Sequence, residues 1–91
     1  MTDIDKQIES IGYKIQDINL KNGYIIYENK ELDCEVTIQW NNDDQDCLIY
    51  SNTMSQQKDW YGNLYKEPIG LTISEIKIFM SKIEELRLIE S

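Results

Sequence analysis

Leu32-Asp33-Cys34-Glu35-Val36-Thr37-Ile38-Gln39-Trp40 switches between apolar and polar side chains with a period of two. Successive side chains of a strand point to opposite faces, so this stretch predicts a half-buried strand. Cys34, Val36, Ile38 and Trp40 take the core face, and Glu35, Thr37 and Gln39 the other. Asn41 to Asp46 is wholly polar, and Cys47 to Thr53 resumes as a strand. Pairing Trp40 with Cys47 places Ile38 opposite Ile49, Val36 opposite Ser51 and Cys34 opposite Thr53. In that register Cys34 and Cys47 lie three same-face pairs, or six residues, apart along the strands. At a rise of about 3.3 Å per residue, this is beyond disulfide reach. Both cysteines are expected as reduced core residues.

Upstream, Tyr13 to Leu20 and Tyr24 to Glu28 flank Lys21-Asn22-Gly23. Asn-Gly between two apolar runs predicts a type I′ hairpin, because both central residues of that turn need positive φ. With Asn22-Gly23 at the turn, Lys21 pairs with Tyr24, Leu20 with Ile25 and Ile18 with Tyr27. Leu20, Ile18, Ile25 and Tyr27 are then core residues, and Asp17 opposes Glu28 on the outer face. Further upstream, Ile4, Ile8 and Ile11 at i, i+4, i+7 predict a short helix over about 3–11, stopped by Gly12.

Downstream, Thr72-Ile73-Ser74-Glu75 has the spacing of a capping box, Thr72 as N-cap and Glu75 at N3. Ile76, Phe79, Met80, Ile83 and Leu86 follow at helical spacing to about Ile89. Phe79 and Ile83 are expected against Ile38 and Ile25. Between strand and helix, Met54 to Pro68 shows no consistent period and exceeds the usual length of a connection. It holds either a short edge strand or a functional loop. The order helix, four strands, loop, helix predicts a single α+β domain over 1–91, a four-stranded antiparallel sheet with both helices on one face.

The chain has 91 residues, with 17 Asp and Glu against 9 Lys and Arg, a formal net charge of -8. Such a surface repels a phosphate backbone, so direct nucleic-acid binding is not expected. With no histidine, imidazole-based catalysis and imidazole zinc ligands are excluded. No run reaches the roughly 18 apolar residues of a transmembrane helix. Met1-Thr2-Asp3-Ile4-Asp5 lacks the basic and apolar regions of a signal peptide, which gives a cytoplasmic expectation.

Asn42-Asp43-Asp44-Gln45-Asp46 suggests calcium, but an EF-hand loop needs Gly at its sixth position and Glu at its twelfth. Counted from Asn42, those places hold Cys47 and Thr53, so a solvated turn is the expectation. Neither cysteine has a histidine to activate it, the glycines are too scattered for a phosphate loop, and no spacing singles out a pair of catalytic carboxylates. No catalytic, cofactor-binding or metal-ligating residue is expected.

The aromatics carry more information. Trp60, Tyr61 and Tyr65 lie in the long loop, and Tyr50 and Tyr24 fall on the non-core face. Trp and Tyr are enriched at binding hot spots. Two readings follow: the loop folds back and its rings close the open sheet face, or the rings meet a protein partner. Acids gather in part near them, Asp17, Glu28 and Glu35 on the outer face beside Asp43, Asp44 and Asp46 in the turn. The candidate partner-binding residues are therefore Asp43, Asp44, Asp46, Trp60, Tyr61, Tyr65, Glu28 and Glu35.

The organisation around Ile11-Gly12-Tyr13-Lys14-Ile15, Lys21-Asn22-Gly23-Tyr24 and Leu71-Thr72-Ile73-Ser74-Glu75-Ile76 resembles small accessory proteins of phages and prophages in low-GC Gram-positive bacteria. The Ile-, Asn- and Lys-rich usage is similar too. The resemblance assigns no site residue. It implies a context: such acidic proteins bind and inhibit host machinery, anti-CRISPR proteins among them, and some imitate the charge of DNA. The expectation is a non-enzymatic inhibitor occupying the basic, nucleic-acid-binding surface of a host protein. The alternative is a structural or regulatory accessory protein, for example a homodimer, whose acidity serves solubility.

Overall fold

The structure, a computed structural model, describes residues 3–40 and 47–90, with side chains through residue 86. Helix α1 (Asp3–Ser10) leads into strands β1 (Lys14–Asn19), β2 (Tyr24–Asn29), β3 (Cys34–Gln39) and β4 (Leu48–Thr53). A small hairpin follows, β5 (Gln57–Lys58) and β6 (Leu64–Tyr65), and then helix α2 (Ile73–Glu90). The four long strands form an antiparallel sheet in the order β1-β2-β3-β4, so the α+β expectation holds.

β3 and β4 pair as their alternation requires: Ile38 with Ile49, Val36 with Ser51, Cys34 with Thr53. Cys34 is buried, Cys47 half-buried, and both are free thiols. The first hairpin differs. Asn19, not Lys21, opposes Tyr24, and Ile18 opposes Ile25. The turn therefore spans four residues, Leu20 to Gly23. Gly23 alone takes positive φ there (77°), its N–H donating to the Asn19 carbonyl, while the Asn19 side chain accepts from Asn22 N–H. A bulge between Ile15 and Asp17 then places Lys14, rather than Asp17, opposite Glu28. The expected like-charge pair becomes an opposite-charge one. Leu20 and Ile18, expected in the core, are largely exposed, because one belongs to the turn and the other to an edge strand.

α1 ends as its glycine demands. Gly12 has φ of 97°, and a Cβ there would meet the Asn29 amide nitrogen at 2.8 Å. That buried amide donates to the Ile11 carbonyl and accepts from Leu32 N–H, tying the helix end to the β2–β3 turn. The capping box of α2 forms in both directions: Thr72 N–H donates to Glu75 Oε1 at 2.9 Å, and Glu75 N–H to Thr72 Oγ1 at 3.1 Å.

Ile8, Tyr13, Ile25, Tyr27, Cys34, Val36, Ile38, Phe79 and Leu86 make the core, with Ile83 packed at its margin. Phe79 meets Tyr13 edge-on at 5.2 Å between ring centres and Tyr27 at 5.3 Å. Met80, expected on the apolar stripe, is half exposed. The helix instead turns Phe79, Lys82 and Leu86 inward, and Lys82 holds Asp5 of α1 at 2.9 Å and Glu85 at 3.3 Å. Truncating Phe79 to Ala should cost about 3–5 kcal/mol in a denaturant titration, the usual range for a buried aromatic.

Alkaline pH provides a second check. Burial, with Cys34 and Glu75 accepting from its hydroxyl, raises the Tyr13 phenol far above its ordinary value; burial, with the charges of Asp5 and Glu85, does the same for Tyr27. Neutral tyrosine is favoured in the fold, so this stability is full below pH about 10, where an unfolded tyrosine titrates, and is lost above it. The denaturation midpoint should fall steeply above that pH.

Candidate protein-binding surface

The connection after β4 is a hairpin with a fastened root and an exposed tip. At the root, Thr53 N–H donates to the Glu67 carbonyl at 2.7 Å, Glu67 N–H to Thr53 Oγ1 at 3.0 Å, and Ile69 N–H to the Ser51 carbonyl at 3.1 Å. With the bridge between Asn52 and Pro68, these bonds cover the outer edge of β4. Asp33 fastens the other arm. Held at φ of 50° in the β2–β3 turn, it accepts from Ser55 N–H and Oγ, and its carbonyl accepts from Met54 N–H. Ser55 thereby holds the Asp33 carboxyl below the usual carboxylate range.

Glu35 is the third fastening. It points to the outer sheet face, as its place in the alternation requires, but it is buried and accepts from Lys66 Nζ at 3.1 Å and Asn52 Nδ2 at 3.1 Å. Burial raises its carboxyl, yet hydrogen bonds from Asn52, Lys66 and Gln16 and the charge of Lys66 outweigh that and leave it lowered. Glu28 sits directly across from Glu35, half-buried, accepting from Gln16 at 3.4 Å with Lys30 at 3.9 Å. Lysines thus offset two adjacent acids on neighbouring strands.

At the tip, the Asp59 carboxylate accepts from Tyr61 N–H at 2.9 Å and Asn63 N–H at 2.8 Å, and Asp59 N–H donates to the Asn63 carbonyl. Gly62 supplies positive φ, 80°. The consequence is an unusual display of apolar surface: Trp60 is 101% exposed and Tyr61 90%, with Leu64 and Tyr65 more than 40% exposed beside them. Trp60 and Tyr61 therefore do not close the sheet face.

That outer face remains accessible above Glu35. Tyr24 donates to Asp17 at 3.1 Å and Tyr50 to Gln39 at 3.4 Å, around half-buried Ile26. Of the candidate residues, Trp60, Tyr61 and Tyr65 come together on the hairpin. Glu28 and Glu35 lie near its root, Glu35 as a buried fastening rather than an open acid. Asp43, Asp44 and Asp46 lie outside the described residues. Asp33, Asp59 and Lys66 were not candidates from the sequence. Asp59-Trp60-Tyr61-Gly62, with Asp first and Gly fourth, carries a type I turn signal, whereas the partners of Asp33 and Lys66 are 22 and 31 residues away.

Among the described residues, no group of three or more Cys, Asp or Glu side chains is placed to hold a metal ion, and no helix is long and apolar enough to cross a membrane. No family model matches this chain, and neither a curated protein nor a solved structure does.

Two measurements check this geometry. Asp59→Ala should speed hydrogen exchange at the Tyr61 and Asn63 amides without moving the global denaturation midpoint, because the lost bonds are local and exposed. The lowered Glu35 carboxyl stabilises the fold above the usual glutamate range, and that contribution disappears as pH falls through its folded value. Lys66→Met should flatten this acid dependence, measured as root protection against exchange.

Proposed function

We propose that this chain is a non-enzymatic protein-binding module, with the Trp60–Tyr61 hairpin as its anchor and its acidic surface directing it to a basic partner. The observation that carries this reading is the exposure of two adjacent large aromatics on a turn held by Asp59. A rigid turn loses little conformational entropy when its rings enter a partner's pocket, and Trp and Tyr are the types that dominate binding energy. The net charge of -8 favours fast encounter with a positive surface. With the resemblance to phage accessory proteins, this gives the finer reading. The chain is an inhibitor, of the anti-CRISPR or DNA-mimic type, that occupies the nucleic-acid-binding surface of a host protein.

A second reading, a self-associating accessory protein, draws support from the edge strand β1, where Ile15 and Ile18 are about half exposed. Pairing of two such edges would extend the sheet. Sedimentation at micromolar concentrations separates the two readings.

The direct test is an affinity pull-down from a bacterial host lysate, with and without nuclease, followed by binding kinetics on the captured protein. Trp60→Ala should raise the dissociation rate about 30-fold, the equivalent of about 2 kcal/mol. Converting Asp43, Asp44 and Asp46 to Asn should slow association and flatten its salt dependence. Nucleic acid should compete for the partner. Binding indifferent to both salt and nucleic acid would overturn the mimic reading.

A further inference from the structure

Asn22-Gly23, a turn signal in the sequence, also carries a chemistry of its own, independent of any binding role. Of the seven asparagines, Asn22 alone precedes a glycine. The main-chain nitrogen of the following residue can close on an asparagine side chain, and glycine, with no Cβ, leaves that approach open. The Gly23 nitrogen bonds to Asn22 Cγ, the Cγ–Nδ2 bond breaks, and ammonia leaves with the proton that the nitrogen gives up. Water then opens the cyclic imide at either carbonyl, leaving aspartate or isoaspartate at position 22. Water is the only co-reactant.

The fold exposes the side chain and guards the nucleophile. Asn22 is exposed, whereas Gly23 is buried and its N–H donates to the Asn19 carbonyl at 2.8 Å. The attacking nitrogen must be free of its proton, so this bond has to break before the ring can close. Asn22 N–H donates to Asn19 Oδ1 at 2.9 Å, so one residue holds both amides of the dipeptide. The Gly23 carbonyl accepts from Trp40 N–H at 2.8 Å, which ties the turn to the end of β3. The guard is no stronger than the edge that carries it. β1 has β2 as its one neighbour in the sheet, and a bulge interrupts their pairing between Ile15 and Asp17. Such an edge opens at lower cost than the centre of a sheet.

We propose that Asn22 is a deamidation site gated by the fold, with Asn19 as the positioning residue that holds it shut. Ring closure proceeds from the opened turn, and its rate follows the population of that open form when opening is fast relative to the chemistry. Conversion adds one negative charge to the turn. Isoaspartate also lengthens the main chain just where Gly23 meets Trp40, so the modified turn no longer fits its β3 contact. The site lies at the β1–β2 end of the sheet, away from β4, where the Trp60–Tyr61 hairpin is rooted. The two proposals can therefore fail separately.

The test incubates the full chain in mildly alkaline buffer, folded and unfolded in urea, and follows conversion at each asparagine by peptide mass and ion exchange. In the unfolded chain Asn22 should convert fastest of the seven. In the folded chain it should convert at least about tenfold more slowly, the effect of an opening that costs about 1.4 kcal/mol. Asn19→Ala should recover several-fold of that loss and speed hydrogen exchange at the Gly23 amide, while Asn19→Asp, which keeps an acceptor, should stay slow. A second measurement needs no variant: in urea below the unfolding transition, conversion at Asn22 should rise in step with exchange at the Gly23 amide. Equal rates in folded and unfolded chains would overturn the proposal. So would faster conversion at another asparagine when unfolded, or a wild-type rate in an Asn19→Ala chain whose Gly23 amide exchanges faster.

Discussion

Phe79 held between Tyr13 and Tyr27 is the contact on which the rest of the fold depends. Three segments that cannot bury themselves meet there: the residue just before β1, the middle of β2 and the second turn of α2. The Tyr13 hydroxyl also donates to Glu75 Oε2 at 2.9 Å, so the capping box of α2 is itself fixed to the sheet. Glu75 faces three donors, and these overcome the cost of its burial to hold its carboxyl low. α1 must stop at Gly12 for Tyr13 to enter this site, and the Asn29 amide closes the space any other residue would need. A short helix with one fully buried side chain is thereby kept in place by its neighbours.

The two sides of the sheet solve different problems. The inner face is apolar and covered by helices. The outer face is not covered by a layer, yet Glu35 and Thr37 are buried there, because the root of the hairpin and the side chains of neighbouring strands close over them. Glu35 would be an expensive residue without Lys66 and Asn52. With them it becomes a tether, and the hairpin leaves the sheet at a defined place. In the proposed binding role, rooting would spare the cost of ordering a loose loop at each encounter.

Charge follows the same logic. Several lysines are engaged with acids within the fold: Lys66 with Glu35, Lys82 with Asp5 and Glu85, Lys30 with Glu28. The net charge of -8 on 91 residues comes from 17 acids against 9 bases, and these pairs take up three of the eight lysines. In the proposed binding role, such a surface would steer toward cationic partners and leave affinity to apolar anchors.

The sequence by itself determined the parts governed by local rules. The period-two alternation of Cys34 to Trp40 determined the β3–β4 register, and Thr72 with Glu75 determined where α2 begins, because strand pleat and helix-end hydrogen bonding act within a few residues. Local rules misplaced the first hairpin by assigning Asn22-Gly23 a two-residue turn. The Asn19 side chain and the bulge near Gln16 favour a longer turn, and only β2 pairing on both sides shows that. They could not say whether Trp60 and Tyr61 cover the sheet or leave it, which depends on Asp33 reaching Ser55 and Lys66 reaching Glu35 across the fold. That the Tyr27 hydroxyl is buried with no hydrogen-bond partner among the described residues is likewise a tertiary outcome.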